Sequence, residues 1–224
     1  MKKILKSPTV MVATLISLFF GIKIVSLMYK DILFTDLLTM LPLRYTIILL
    51  NLFVDYLVFE NINNYMLIFR YRSIQNFLLK STMMESLVTF ILFFSFSLPI
   101  LLIPTSNASI LSVILFIFNG VLVVSVFLSV IRFLNIWIAN RFISTTLFVI
   151  VFVIIDAALD QIAFAKGLMT MFTFNDILAM PLKSGVWYPF IFMSMILFTL
   201  LMIYQTQMTM SKRDYILKND VDDT

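Results

Sequence analysis

The chain of 224 residues contains no Cys and no His. Without imidazole there is no histidine base, His-ligated metal or haem, and without thiols there is no disulfide framework, thiolate nucleophile or Cys metal site. Carboxylate-only or Ser/Lys chemistry remains, and the 12 Asp and Glu are few enough to weigh singly. Ionisable residues in apolar surroundings are Lys23, Arg44, Asp55, Glu85, Asp156 and Asp160. Asp156 and Asp160 stand at i, i+4, on one face of one helix. Paired-aspartate catalysis inside a membrane needs carboxylates from two different helices, so no catalytic residue and no metal site is assigned. An ion at mid-helix in a bilayer costs about 2.5–3.5 kcal/mol on insertion scales, which makes each such residue a functional candidate. Lys23 can snorkel to the interface. Arg44 lies deeper, at a depth comparable with Asp156 and Asp160, so either it pairs with one of them or these groups line an outer vestibule.

The elements that must position these residues are helices in lipid. Hydrophobic residues make up 62% of the chain and charged ones 12%, with mean hydropathy +1.05, against roughly 25% charged in soluble domains. With 24 Phe, 15 Met and 4 Gly the apolar residues are bulky. Apolar runs continue for about twenty residues, the length that crosses a ~30 Å hydrocarbon core as a helix, and lack the alternation of a transmembrane barrel strand. The expected fold is an all-α integral membrane protein with six spans, at about 9–29, 38–59, 84–103, 110–131, 142–162 and 186–205, in a single domain. The first span follows the basic stub Lys2, Lys3, Lys6 and begins at Pro8. No small-residue cleavage site follows it, so it reads as a retained helix and not a signal peptide.

Lys and Arg set the orientation, because cytoplasmic loops carry their excess. With both termini inside, Lys2, Lys3, Lys6, Arg70, Arg72, Lys80, Arg132, Arg141, Lys212, Arg213 and Lys218 face the cytoplasm, eleven against five elsewhere. The net charge of +4 therefore reports topology, and no nucleic-acid partner is implied. The outer segment 161–185 is apolar yet broken by Gly167, Asn175 and Pro181. It reads as short re-entrant or interfacial helices, or as an amphipathic surface loop. On span four, Gly120, Ser125 and Ser129 could let another helix approach closely, including one from a second copy. The tail after Lys212 reads as short, polar and solvated.

The largest cytoplasmic feature is the segment 60–80. Ile62, Met66 and Phe69 fall at i, i+4, i+7 with Tyr65 beside them, the pattern of a short amphipathic helix. Arg70 and Arg72 flank its end, where they can meet lipid phosphates or a partner's carboxylates. Ser73 can cap the next helix. Such a helix either docks a partner or lies anchored in the headgroup region.

Glu60, the amphipathic stretch Leu67-Ile68-Phe69-Arg70-Tyr71-Arg72-Ser73, and Phe77 with Lys80 resemble the first cytoplasmic loop of permease subunits in ABC-2 type ATP-binding cassette transporters. The small permeases of Gram-positive lantibiotic immunity and peptide export are the most similar, in layout as well as in this loop. One residue is inserted before the arginine, and only about eight residues precede the first span, so an N-terminal elbow helix is not expected. The resemblance implies a multi-pass subunit of a Gram-positive plasma membrane, dimeric with itself or with a sister permease. It implies ATPase coupling through Glu60, Ile62, Tyr65, Met66, Phe69, Arg70 and Arg72. The chain has no phosphate-binding Gly-x-x-x-x-Gly-Lys-Ser/Thr loop, so ATP and Mg would belong to a separate cytoplasmic cassette ATPase, and this chain would be no enzyme and bind no cofactor. Walls of Phe, Met, Leu and Ile suit an amphipathic or hydrophobic peptide cargo. The alternative is a stand-alone peptide-binding immunity or accessory membrane protein without ATP coupling.

Overall fold

The computed structural model describes residues 7–28, 41–58, 74–103, 110–138, 140–166 and 188–222, without the side chains of 41–45, 157, 159–166, 188, 191 and 212–222. The described residues form six α-helices and no strand: α1 (Pro8–Met28), α2 (Leu41–Val58), α3 (Ile74–Leu102), α4 (Ile110–Ile138), α5 (Arg141–Lys166) and α6 (Tyr188–Asp222). Four stretches are long and apolar enough to cross a membrane, namely α1, α3, α4 and Phe192–Ser211 of α6. The chain is therefore a helical protein suited to span a bilayer. Lipid holds no water to satisfy stray polar groups, and the hydroxyls inside these helices answer by bonding backwards. Thr14 donates to the Val10 carbonyl at 2.7 Å, Ser95 to Ile91 at 2.7 Å, and Thr199 to Met195 at 2.8 Å.

The helix ends differ from the expected spans. α3 starts at Ile74, ten residues ahead of the apolar window, α4 continues past Arg132 to Ile138, and α6 is helical through the polar tail to Asp222. Apolar counting measures hydrocarbon thickness, whereas a 29-residue helix such as α3 runs about 43 Å, well beyond a ~30 Å core.

Packing contacts give the directions. Val10 and Ala13 of α1 meet Val88 and Leu92 of α3 at one end, while Ile24 and Met28 share a core with Ile100 at the other, so α1 and α3 run parallel. α4 runs against α3: Phe77 and Leu78 share a cluster with Ile136, and Phe93 meets Phe116 edge-on with ring centres 5.5 Å apart. α5 turns back along α4, with Phe127 against Phe148 and Phe152 at 5.3 and 4.6 Å. One end of the bundle, the proximal end, thus gathers the starts of α1, α3 and α5 with the ends of α2 and α4.

Two glycines permit the closest approaches. A Cβ on Gly21 would stand 2.1 Å from the Phe96 carbonyl oxygen, and one on Gly120 would stand 2.2 Å from the Phe93 ring. Gly120 therefore receives α3 of the same chain, and Ser125 meets Ser86 of α3 at 3.2 Å. The small residues of span four that suggested room for a second copy are, at Gly120 and Ser125, an internal seam.

Outward faces are apolar, as lipid demands. Met11, Leu15 and Phe19 of α1, Ile150 and Ile154 of α5, and Leu197 and Leu201 of α6 are all exposed.

Candidate functional site

The proximal end holds a buried cluster of charges drawn from four helices. α2 delivers Asp55 one turn before its end, and α3 delivers Ser81, Thr82 and Glu85 two to three turns after its start. α4 and α5 deliver Arg132, Asn135, Arg141 and Ser144 across a two-residue corner between Ile138 and Arg141. Asn140 builds that corner: its side-chain oxygen accepts the N–H groups of Phe142 at 3.0 Å and Ile143 at 3.3 Å, the arrangement of an N-cap. Ser144 donates to the Asn135 side-chain oxygen and closes the corner from α5 back to α4.

Two ion pairs span the helices. Arg141 reaches Asp55 with one nitrogen, 2.6 Å from Oδ2 and 2.8 Å from the backbone carbonyl, tying the start of α5 to the end of α2. Its guanidinium lies over the Tyr56 ring, 5.8 Å from the ring centre. Arg132 pairs with Glu85 and donates to Thr82 Oγ1 at 2.6 Å, tying α4 to α3. Ser81 donates to Glu85 Oε1 at 3.0 Å. Exposure is 8% for Asp55, 5% for Glu85 and 9% for Arg132, so the charges are withdrawn from the surroundings. Between the pairs, lined by Asp55, Ser81, Glu85, Arg132, Asn135 and Arg141, is a cavity of about 10 Å³, room for one water. Asp55 Oδ1 is buried there without a hydrogen-bond partner.

Two guanidinium groups face two carboxylates, so the cluster is neutral as a set. Each acid has a fixed cationic partner, which suits it to holding helices in register and not to proton abstraction. Buried pairs add little net stability over apolar packing, because desolvation offsets their attraction, yet losing one partner strands a buried charge. Ionisable groups kept at that cost within spans are candidates for function.

Of the residues singled out from sequence, Asp55 and Glu85 are brought into this cluster, and the others fall elsewhere. Glu60, Ile62, Tyr65, Met66, Phe69, Arg70 and Arg72 lie outside the described residues, as does the outer segment from 167 to 185. Lys23 is exposed on α1, and Asp156 is buried on α5 with 3% exposure. The side chains of Arg44 and Asp160 are outside the described set, so their pairing is too. Arg132 and Arg141, counted from sequence among the basic residues of the inner segment between spans four and five, are helical and paired. A signal was present: two carboxylates near the inner ends of spans two and three match two arginines around the turn between four and five.

Compared with protein-family models, curated proteins and solved structures, the chain finds no match.

Proposed function

We propose that the chain is the membrane-spanning permease subunit of an ABC-2 type ATP-binding cassette exporter. It moves amphipathic or hydrophobic peptides, in toxin export or antimicrobial-peptide immunity, across the plasma membrane of a Gram-positive bacterium. ATP and Mg are bound and hydrolysed by a separate cytoplasmic ATPase, and the permease works as a dimer with itself or a sister chain. The resemblance of 60–80 to a coupling loop supports this reading. The observation that carries it furthest is mechanical: the two helices bracketing that loop, α2 and α3, are each ion-paired within the membrane domain to the α4–α5 corner. A push on the loop would reach four helices at once, through pairs that resist sliding because each buried charge would lose its partner. Inward or outward tilting of those helices would change access to a path lined by bulky apolar side chains.

The test is docking. On the helical spacing of the sequence, Ile62, Met66 and Phe69 would form the core of the loop's apolar face, and interface cores dominate binding energy. Joint replacement of Met66 and Phe69 by Asp is expected to abolish co-purification of the cognate ATPase and peptide resistance of cells, while membrane insertion persists. Arg70→Ala and Arg72→Ala are expected to weaken docking less, and more visibly at high salt. Normal ATPase capture by the Asp double variant would make the loop a surface anchor and return the reading to a stand-alone peptide-binding protein.

A further inference from the structure

Among the described residues of the buried charge cluster, two side-chain atoms make no hydrogen bond, and they come one from each ion pair. Asp55 Oδ1 is an acceptor, left over because Arg141 takes the other carboxylate oxygen. Arg132 Nη2 is a donor that meets Glu85 as an ion pair only, and a guanidinium terminal nitrogen carries two N–H groups, so one remains. Both residues are more than nine-tenths buried and line the same cavity, with Ser81 and Asn135 also on its wall. Their charges attract across it, yet the two atoms do not bond to each other.

We propose that this cavity is a binding site for one water molecule, which donates to Asp55 Oδ1, accepts from Arg132 Nη2 and so joins the two ion pairs into one network. Size sets the first limit: about 10 Å³ admits a single small molecule and no organic ligand. Charge sets the second. A bound cation would face Arg132 and Arg141, and a bound anion would face Asp55 and Glu85, whereas a neutral dipole meets a set of side chains with no net charge. Hydrogen bonding sets the third. An orphaned acceptor and an orphaned donor on one cavity need a molecule that both gives and takes a proton bond, and a buried water is held by two to four such partners. The consequence is mechanical. Each ion pair alone ties two helices, α2 to α5 and α3 to α4, while the water ties the pairs to each other, so a displacement of Asp55 is felt at Arg132. This inference stands apart from the transport reading, since it needs neither ATPase nor cargo.

The test has two readouts on the full-length protein in lipid. The first is an experimental structure fine enough to show ordered water. One density peak within hydrogen-bond distance of both Asp55 Oδ1 and Arg132 Nη2 is expected. A peak that touches only one of them, or a direct bond between the two side chains, would overturn the proposal. The second is X-ray radiolytic labelling, in which hydroxyl radicals made from a bound water mark the side chains beside it. Phe77 lines the cavity and is only 7% exposed, so its labelling reports internal water and not solvent. The wild type is expected to be labelled at Phe77, and the paired replacement Asp55→Leu with Arg141→Met, which removes the acceptor together with its counter-ion, is expected to lower that label severalfold. An unlabelled Phe77 in the wild type would mean a dry cavity, and undiminished labelling in the paired variant would mean that Asp55 does not hold the water; either overturns the bridge. If the paired variant fails to fold, Ser81→Val, which turns a polar wall of the cavity into hydrocarbon, is expected to lower the Phe77 label, and an unchanged label there counts against the site.

Discussion

At the residue scale the consequential side chains are Asp55, Glu85, Arg132 and Arg141. Each acid is held by one guanidinium from another helix, with little exposure to share the charge. Glu85→Ala should strand Arg132, and Arg132→Ala should strand Glu85; each is expected to cost about 3–5 kcal/mol. Folded yield and unfolding temperature in detergent are the measurements. Joint replacement, Glu85→Leu with Arg132→Met, removes both charges and should recover most of that loss, because apolar packing substitutes well for a buried pair. The same double variant separates structure from function: if the pair transmits motion from the ATPase loop, the protein folds but transport falls. Full transport in a folded double variant would leave the pair a purely structural tie. Arg141→Lys is a sharper probe of the second pair. One guanidinium serves the Asp55 carboxylate, its carbonyl and the Tyr56 face together, which an ammonium cannot reproduce. The sequence exposed the acids as anomalies inside apolar runs but hid their partners. Arg132 and Arg141 sit where an apolar window ends, and there a positive-inside count treats any arginine as a loop charge. Pairing depends on the short Asn140 corner, a tertiary fact with no periodicity to announce it.

At the element scale, helix type and order were legible because bulky apolar runs of twenty residues have one good solution in lipid. Helix ends were not. α3 begins ten residues early and α6 runs to Asp222, since a helix need not stop where the hydrocarbon does. Close packing was half legible: Gly120 was marked as a contact point, while the helix that uses it is α3 of the same chain. The two tight glycines make different demands. At Gly21 the obstruction is the backbone of Phe96, which cannot rotate away, and Pro99 stands 3.1 Å from the same virtual Cβ. At Gly120 it is the ring of Phe93, fully buried at 0% exposure but able to turn if its neighbours give. Gly21→Ala should therefore force α1 off α3, at the upper end of the about 1–3 kcal/mol typical of overpacking, and Gly120→Ala should cost less when paired with Phe93→Leu. Thermal unfolding of the single and paired variants checks this. Equal tolerance of Gly21→Ala and Gly120→Ala would mean that α1 is not held against α3 by the Phe96 contact.

At the scale of the whole molecule the open quantity is orientation, and the buried pairs alter its arithmetic. Arg132 and Arg141 are neutralised by Glu85 and Asp55, so they count little as free positive charge facing the cytoplasm. Removing them from the eleven inside residues leaves Lys2, Lys3, Lys6, Arg70, Arg72, Lys80, Lys212, Arg213 and Lys218, nine against the five elsewhere. The bias survives, now concentrated ahead of α1, from the end of α2 to Lys80 in the first turns of α3, and after Ser211, all toward the proximal side of the bundle. Because the positive-inside rule counts Lys and Arg near span ends, that side should face the cytoplasm. The cysteine-free chain allows a direct check by single-cysteine labelling with a membrane-impermeant reagent in intact cells. Ser73→Cys and the exposed Ser211→Cys are expected to stay unlabelled until the membrane is opened, while Ser106→Cys and Ser184→Cys label at once. Asn135, which sequence alone places in an inner turn, is buried with 3% exposure and makes a poor reporter. Labelling of Ser73→Cys in intact cells would turn the bundle over, placing the loop 60–73 where no cytoplasmic ATPase could reach it, and with it the proposed exporter role would fail.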